Sequence, residues 1–228
     1  MPPTAIVEER VTFSAGGPAL SGILAYPEAG RPVRAVLLCS PHPHFAGDME
    51  NNIVRALAQG LAADSVTLRF DYRGVGQSGI RLAPGVSPLD YWDEVEERQD
   101  YADAVADVEA AGRELARVAP GLPMAVAGYS FGAVAGLMYG LRSDGVGRLV
   151  GVSPPLKKVR FEFLADCRKP CLMLAGKNDF VYSPEAAARL REVAPPPVHL
   201  EVLESSDHFF RGEETVVVAR VRAFLEKP

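Results

Sequence analysis

The sequence predicts an α/β fold with a mostly parallel central sheet that helices cover on both faces. Short apolar runs rich in Val and Leu recur along the chain, among them "RAVLLCS", "VTLRFDY", "MAVAGYS" and "CLMLAG". Runs this apolar are typical of strands buried on both faces of a sheet. Helical stretches separate most of the runs, as a parallel sheet with crossover connections requires. The chain has 228 residues, of which 48% are hydrophobic and 23% charged, a balance that suits one fairly large globular domain.

The first two strands differ from the rest. "AIVEERVTF" and "LSGILAY" alternate enough to predict half-exposed strands, and Gly16, Gly17 and Pro18 mark a turn between them. We expect this hairpin to form an antiparallel edge of the sheet. The later strands are expected at "RAVLLCS", "VTLRFDY", "MAVAGYS", "GRLVGVS", "CLMLAG" and "VHLEVLE", and helices at roughly 50–63, 90–118, 131–142, 184–194 and 212–226.

The connection between the predicted strands "GRLVGVS" and "CLMLAG" is too short for a large insertion. It runs from Pro154 to Pro170, 17 residues, which is enough for a short helix or loop but not for a separate lid domain. The chain also carries no composition break, long linker or repeat. We therefore expect a single domain over residues 1–228.

Composition and charge narrow the classes of partner. The formal net charge of −5 and the lack of a Lys/Arg cluster argue against nucleic acid. No apolar run approaches the roughly 20 residues that span a bilayer, and the start "MPPTAIVEER" lacks the basic-then-apolar order of a signal peptide. Three cysteines without metal-ligand spacing fit reduced thiols. We expect a cytoplasmic protein with neither a nucleic-acid nor a membrane partner.

A glycine motif in "FDYRGVGQSG" raises the question of a dinucleotide cofactor. Gly74, Gly76 and Gly79 have the G-x-G-x-x-G spacing and follow an apolar run. In the dinucleotide fingerprint a helix begins at the third glycine and faces the pyrophosphate. Here Pro84 and Pro88 follow, which disfavours a helix at that point. We predict a structural loop in which glycines permit close backbone approaches, and no cofactor.

The segment "GYSFG" between a predicted strand and a predicted helix indicates a nucleophile. In a nucleophile elbow the chain turns sharply from strand to helix and holds its serine, here Ser130, in a strained, exposed conformation. The two backbones then lie so close that Gly128 and Gly132 must be small, and the following helix is rich in small residues as well. A helix N-terminus at this point favours a developing oxyanion. The alternative is an ordinary turn serine that caps a helix.

A serine nucleophile needs a base. Among the four histidines, His199 lies inside "VHLEVLE" and is expected to pack in the sheet, whereas His42 and His44 follow the third strand. His208 follows the last strand in "ESSDHFFRG", before the final helix. Because a base needs a mobile, solvent-accessible loop at the carboxyl edge of the sheet, we predict that His208 is the base.

The base needs an orienting carboxylate, expected at another strand end between the serine and the histidine in chain order. Asp179 comes just after the run "CLMLAG" and is our prediction, against the alternative of a turn or capping aspartate. Asp207 adjoins His208 in sequence, so its side chain is expected to point away from the ring. Asp166 precedes a strand and is disfavoured.

The segment "SPHPHF" is expected to complete an oxyanion hole. Pro41 and Pro43 have no N–H, so His44 or Phe45 is the predicted second backbone donor beside Phe131.

The same segment contains His42-x-His44, which also suggests a metal. The pattern H-x-H-x-D-H fails, however, because Ala46 stands at the position of its aspartate, and no other dense set of ligands joins the pair. We therefore expect no metal.

Four residues are predicted to contact substrate: His42, Tyr129, Leu82 and Tyr91. Leu82 and Tyr91 belong to the segment 80–91, whose apolar side chains either line the pocket or belong to the core.

Together, "CSPHPHFAGDMENNIV", "TLRFDYRGVGQSG", "AGYSFGA" and "SDHFF" resemble the hallmarks of α/β-hydrolases. More narrowly, the chain resembles the small, lidless bacterial serine hydrolases related to dienelactone hydrolases, over nearly its whole length. The resemblance implies the α/β-hydrolase fold, with Ser130 as nucleophile, His208 as base and Asp179 as acid. It also implies that "FDYRGVGQSG" is a structural loop. One position departs from the pattern: Ser40 replaces the first histidine of the H-P-H-P often found in relatives.

These observations predict acyl transfer from a small-molecule substrate to water. The resemblance favours esters and thioesters over amides. An acyltransferase or a cyclase with the same three residues fits the sequence equally well. A non-catalytic binding protein on the hydrolase scaffold is disfavoured because all three residue types of the triad are intact.

Overall fold

A computed structural model describes residues 4–14, 16–45 and 47–227. Residues 1–3 and Ala46, on which the predictions about a signal peptide and a metal motif partly depend, lie outside the described residues. The strands are β1 (Ile6–Ser14), β2 (Ala19–Pro27), β3 (Arg34–Cys39), β4 (Ser65–Phe70), β5 (Met124–Tyr129), β6 (Val146–Val152), β7 (Cys171–Gly176) and β8 (Val198–Leu203). The helices are α1 (Asn52–Leu61), α2 (Pro88–Arg98), α3 (Ala102–Val118), α4 (Phe131–Arg142), α5 (Pro184–Val193) and α6 (Glu214–Leu225), with 3-10 turns at Pro43–Phe45 and Glu162–Leu164.

The strands form one eight-stranded sheet in the order β1-β2-β4-β3-β5-β6-β7-β8. β1 pairs antiparallel with β2, and β2 pairs antiparallel with β4. All other neighbours are parallel. The predicted mostly parallel sheet with an antiparallel hairpin at one edge is therefore confirmed. The carboxyl ends of β3, β5, β6 and β7 meet at one edge, where ligands bind in such folds.

Helices pack on both faces of the sheet. Alternate residues of a strand face opposite sides, so Leu37 and Leu38 of β3 belong to different cores. On one face α1 and α6 pack together over the side of Leu38. On the other face α3 and α4 pack over the side of Leu37, and α5 extends this larger core. The connection 154–170 holds only the short 3-10 turn, so the fold has no lid domain, as predicted.

Three local predictions need correction. The segment 90–118 is not one helix, because Gln99 adopts a left-handed conformation (φ 51°) that ends α2. Tyr101 then packs into the core with its ring 5.6 Å from that of Phe131. His199 is exposed rather than packed in the sheet, because β8 is an edge strand. β2 is almost wholly buried rather than half-exposed, because it lies between β1 and β4.

The glycine motif lies in a tight loop after β4. Gly74 and Gly76 both have positive φ, 75° and 55°, which glycine adopts without strain. Gly79 donates its N–H to the Ala19 carbonyl (2.8 Å), and no helix begins there, because α2 starts only at Pro88. The geometry is that of the predicted structural loop.

Two side chains connect this loop to the rest of the molecule. Asp71 accepts the N–H of Met49 at 2.8 Å, which ties the loop to the segment after β3. Arg73 forms a bidentate ion pair with Asp107 of α3, with a shortest distance of 2.7 Å.

Candidate active site

Ser130 occupies a sharp turn between β5 and α4. Its backbone angles, φ 54° and ψ −116°, are strained for a residue with a side chain. Its N–H donates to the Val152 carbonyl at 2.8 Å, which fixes the turn to β6. Although Ser130 is the N-cap of α4, its hydroxyl makes no capping hydrogen bond, so the oxygen is available for chemistry.

The two glycines of the motif allow the close approaches that we expected. A Cβ on Gly128 would lie 2.5 Å from the nitrogen of Ala133, inside α4. A Cβ on Gly132 would overlap the Cys39 carbonyl and lie 2.5 Å from the Ser40 carbonyl. The first glycine lets helix and strand meet, and the second lets the segment after β3 pack against the elbow.

His208 and Asp179 form a buried pair. The imidazole Nδ1 lies 2.9 Å from both carboxylate oxygens of Asp179, and the two residues are only 7% and 4% exposed. The imidazole itself is thus largely covered, whereas its loop neighbours Asp207 and Phe209 are exposed, in line with the predicted solvent-accessible loop. Gly176 makes the covering of the imidazole possible, because any Cβ there would overlap the Ser206 carbonyl beside the histidine loop.

The other two candidate acids lie elsewhere. Asp207 turns away from the imidazole and accepts the N–H groups of Phe209 (2.8 Å) and Phe210 (3.1 Å), in line with our expectation. Asp166 is exposed on the segment between β6 and β7.

Sequence analysis missed two further groups that donate hydrogen bonds to the Asp179 carboxylate. The Ser153 hydroxyl, at the end of β6, donates to Asp179 Oδ2 at 2.7 Å. The N–H of Val181 donates to Oδ1 at 2.8 Å. The only signal in the sequence was the position of Ser153 directly after the run "GRLVGV", at the same edge of the sheet as the elbow.

Ser130 and His208 line one cleft of about 210 Å³. Among the hydrogen bonds of the described residues, none joins the Ser130 hydroxyl to the imidazole. Catalytic hydrogen bonds of this kind are often long in the free enzyme and tighten when substrate binds. The Ser130 side chain also rotates about its Cα–Cβ bond, so a small rotation changes the distance between its hydroxyl and the imidazole.

The predicted oxyanion donors need correction. The His44 N–H donates to His42 Nδ1 (3.1 Å), and the Phe45 N–H donates to the His42 carbonyl (3.1 Å). Both N–H groups already have acceptors because the segment closes into a 3-10 turn at Pro43–Phe45. In the part of the chain that the structure describes, the N–H groups of His42 and Phe131 have no acceptor. Both residues line the cleft with Ser130, so these two N–H groups are the candidate oxyanion donors.

The His42 ring is buried among aromatic side chains. Its centroid lies 4.7 Å from that of Phe131 and 6.0 Å from that of Trp92. Burial lowers the pKa of His42 to about 4, while the nearby Glu96 carboxylate partly opposes this shift. The ring is therefore neutral at pH 7. Because Nδ1 accepts a hydrogen bond, the proton lies on Nε2, 3.7 Å from Glu96.

Two of the four predicted substrate contacts line the cleft, and two do not. His42 and Tyr129 belong to its wall. Tyr91 points away, because its hydroxyl donates to Asp103 at 2.5 Å at the start of α3. Leu82 lies half-buried in the loop before α2, outside the cleft.

The apolar walls of the cleft come largely from residues that sequence analysis did not select. They include Tyr101, Val134, Pro155, Val159 and Phe180, together with the ring of Phe131, which was predicted only as a backbone donor. Phe180 and Phe209 directly follow the acid and the base in sequence, a signal that would have placed them at the same edge. A Glu96–Lys158 ion pair (3.1 Å) lies in the cleft wall as well.

The described residues form neither a metal-binding cluster nor a membrane-spanning helix. Within residues 4–14, 16–45 and 47–227, no group of three or more His, Cys, Asp or Glu side chains is placed to hold a metal ion. Among the helices that these same residues form, none has both the length and the apolar character needed to cross a membrane.

Known proteins resemble this chain in fold. No protein-family model matches it. An uncharacterized protein of Rickettsia prowazekii (strain Madrid E) is 27% identical over 184 residues, covering 77% of this chain and 71% of that protein. The solved structure of an α/β serine hydrolase homologue from Coxiella burnetii is 26% identical, covers 94% of this chain and 96% of that one, and has a TM-score of 0.77.

A lidless serine hydrolase from Xanthomonas campestris shares the fold at 20% identity. The match covers 96% of this chain and 93% of that one, with a TM-score of 0.74. The strand order, the elbow and these similarities define an α/β-hydrolase fold without a lid. Its structural neighbours of known class are α/β serine hydrolases.

Proposed function

We propose that this protein is a serine hydrolase that cleaves a carboxylic ester or thioester through an acyl-enzyme on Ser130. The observation that carries the proposal is the buried His208–Asp179 pair (2.9 Å) beside the strained elbow serine in one cleft. Such a set of nucleophile, base and orienting acid is the requirement for activating a serine hydroxyl. The same fold in an esterase from Pyrococcus furiosus (18% identity, TM-score 0.74) is compatible with the proposal.

In the proposed mechanism Ser130 attacks the substrate carbonyl carbon as His208 Nε2 takes the hydroxyl proton. Asp179 holds the Nδ1–H and stabilises the imidazolium that forms. The N–H groups of Phe131 and His42 donate to the tetrahedral oxyanion, assisted by the N-terminus of α4. The imidazolium then protonates the departing alkoxide or thiolate. Water repeats the sequence on the acyl-enzyme and regenerates the free serine.

The cleft favours an apolar acyl group on a small-molecule substrate. Its walls near Ser130 are largely apolar or aromatic, with Val134, Val159 and Tyr101 along one side. Placing an apolar group there removes it from water without leaving polar wall atoms unpaired. The preference for esters and thioesters over amides comes from the resemblance to lidless hydrolases.

We further propose that the protein acts in the cytoplasm. Cys39, Cys167 and Cys171 are all unpaired and buried, as in proteins of reducing compartments. Fractionation of cells from the source organism with an antibody to this chain tests the assignment. Recovery in the membrane or extracellular fraction contradicts it.

The experiment that tests the proposed function is covalent labelling of the purified protein with a fluorophosphonate probe, together with a panel of p-nitrophenyl esters and acyl thioesters. The wild type is expected to label and to hydrolyse part of the panel. Ser130→Ala should abolish labelling and lower kcat/KM by at least about 10³-fold. His208→Ala should label far more slowly, because the serine has lost its base.

The control is Ser205→Ala, which removes an exposed serine from the same sheet edge and should behave like the wild type. A folded wild type that does not label, or a Ser130→Ala variant that still labels and hydrolyses, overturns the proposal.

A further inference from the structure

We propose that Ser153 is a positioning residue whose hydroxyl fixes Asp179 in the orientation that serves His208. The proposal rests on the proposed function, because it gives Ser153 a task within the same triad. It goes beyond that function by adding the side chain that directly follows β6, a strand that contributes nothing else to the triad.

The first support is the contact itself. Ser153 is fully buried, and its Oγ lies 2.7 Å from Asp179 Oδ2. A hydrogen bond to a carboxylate is shorter and about twice as strong as one between neutral groups. The Asp179 carboxylate thus has one donor on each oxygen, Val181 N–H on Oδ1 and Ser153 on Oδ2. Together these donors fix the carboxylate plane while both oxygens face the imidazole.

The second support is the backbone of Ser153. Its φ is 45°, in the left-handed region that disfavours residues with a Cβ. Its N–H donates to the Leu174 carbonyl at 2.7 Å, which holds this conformation between β6 and β7. A glycine would adopt the same conformation without strain. The backbone therefore gives no reason for a serine here, whereas the bond to the acid does.

The other ionisable groups near the pair lie on different elements. Tyr129 of β5 has its ring 5.5 Å from the imidazole and donates its hydroxyl to the His208 carbonyl (2.8 Å). Burial raises the pKa of Tyr129, the charges of Asp179 and Asp207 raise it further, and Arg211 opposes them. Tyr129 is therefore neutral at working pH. Ser153 Oγ also lies 3.5 Å from the His208 carbonyl oxygen, a longer contact than its 2.7 Å bond to Asp179 Oδ2. Replacing Ser153 therefore removes the short bond to the acid together with this weaker contact.

Loss of the hydroxyl has two expected effects. The carboxylate becomes freer to rotate, so kcat falls by about 10- to 100-fold while KM, set by the cleft, changes little. The negative charge on Asp179 is also less dispersed and holds a proton on His208 more strongly. The midpoint of the His208 titration in the Ser153 variants is therefore expected to lie above that of the wild type.

The experiment compares Ser153→Ala and Ser153→Gly, the second of which relieves the backbone strain. Ser78→Ala is the matched control, because Ser78 is also buried and its hydroxyl donates at 2.8 Å, but to the Asp71 carbonyl far from the acid. We measure kcat and KM for p-nitrophenyl acetate against pH, and we follow the His208 ring resonances by NMR over the same pH range. Both Ser153 variants should show the upward shift, and Ser78→Ala should not.

The NMR titration decides the proposal independently of activity. An unchanged His208 midpoint in both folded Ser153 variants overturns it, whatever happens to the rate, and a shift confined to these variants supports it. If the wild type hydrolyses no ester and does not label, the proposed function fails, while the titration still reports whether Ser153 acts on the pair. A merely structural Ser153 would lower stability as Ser78→Ala does and leave the midpoint in place.

Discussion

Gly132→Ala should remove most of the activity without unfolding the protein. Gly132 lies in the first turn of α4, where alanine is intrinsically the better helix former by about 1 kcal/mol. Its Cα, however, faces the segment after β3, which carries the proposed oxyanion donor. A methyl group at this position meets backbone atoms, which have no rotamer with which to move aside.

The size of the effect follows from the distances. The added Cβ would lie 2.5 Å from the Ser40 carbonyl oxygen and nearer still to that of Cys39, whereas ordinary contact begins at 3.4 Å. The segment after β3 must therefore move by about 1 Å. That displacement carries the His42 N–H away from the oxyanion. Loss of one such donor costs a factor of about 10²–10³ in kcat.

The assay compares Gly132→Ala with Gly136→Ala, one turn further along α4. A Cβ at Gly136 meets side-chain atoms of Val126 and Cys39 at 3.0 and 3.1 Å, which yield by small rotations. We expect Gly136→Ala to retain kcat within about tenfold and both variants to show cooperative thermal unfolding. Wild-type kcat in Gly132→Ala would refute the reasoning, because the segment after β3 would then tolerate displacement.

Two further predictions concern the loop after β4. Burial raises the pKa of Asp71 to about 6, so the folded state loses stability as pH rises from about 4 through 6. Asp71→Asn cannot ionise and should gain about 1–2 kcal/mol relative to the wild type between pH 4 and pH 7 in urea titrations; a constant difference contradicts this. Asp107→Ala leaves Arg73 without its buried partner and should lower the free energy of unfolding by about 3 kcal/mol. Asp103→Ala, at an ion pair whose acid is half-exposed, should cost under about 1 kcal/mol, and equal losses would contradict the assignment.

Most of the sheet was predictable from sequence because a strand buried on both faces is largely apolar, as in the runs of β3, β5 and β7. What failed depended on contacts between distant elements. The helical pattern continues through Gln99, and only the packing of Tyr101 under Phe131 explains the break between α2 and α3. His199 is exposed because β8 lies at the edge of the sheet. The hydrophobic pattern of one strand does not indicate where that strand lies in the sheet.

In the candidate site, too, the residues with a local sequence signal were predictable, and those defined by contacts between distant elements were not. Ser130 has a local motif, and chain order was enough to select Asp179 and His208. The prediction of His44 or Phe45 as second oxyanion donor was wrong because a 3-10 turn at Pro43–Phe45 uses both N–H groups, and that turn leaves no strong sequence pattern. Ser153 was missed because its bond to the acid joins positions 26 residues apart.

The contacts of the site fall into two groups, which the Ser130 N–H joins at the Val152 carbonyl and the Tyr129 hydroxyl joins at the His208 carbonyl, both at 2.8 Å. Ser130, Phe131 and the segment after β3 form one, joined through the close approach at Gly132 and the His42–Phe131 contact. Asp179, His208 and Ser153 form the other, joined by hydrogen bonds among the ends of β6, β7 and β8. The cleft lies at their junction, and in the described part of the chain no hydrogen bond from the Ser130 hydroxyl to the imidazole crosses it. Substrate seated in the cleft contacts both groups at once. In the proposed mechanism, an acyl group that fits the cleft therefore speeds the chemical step as well as binding, because it closes the distance between nucleophile and base.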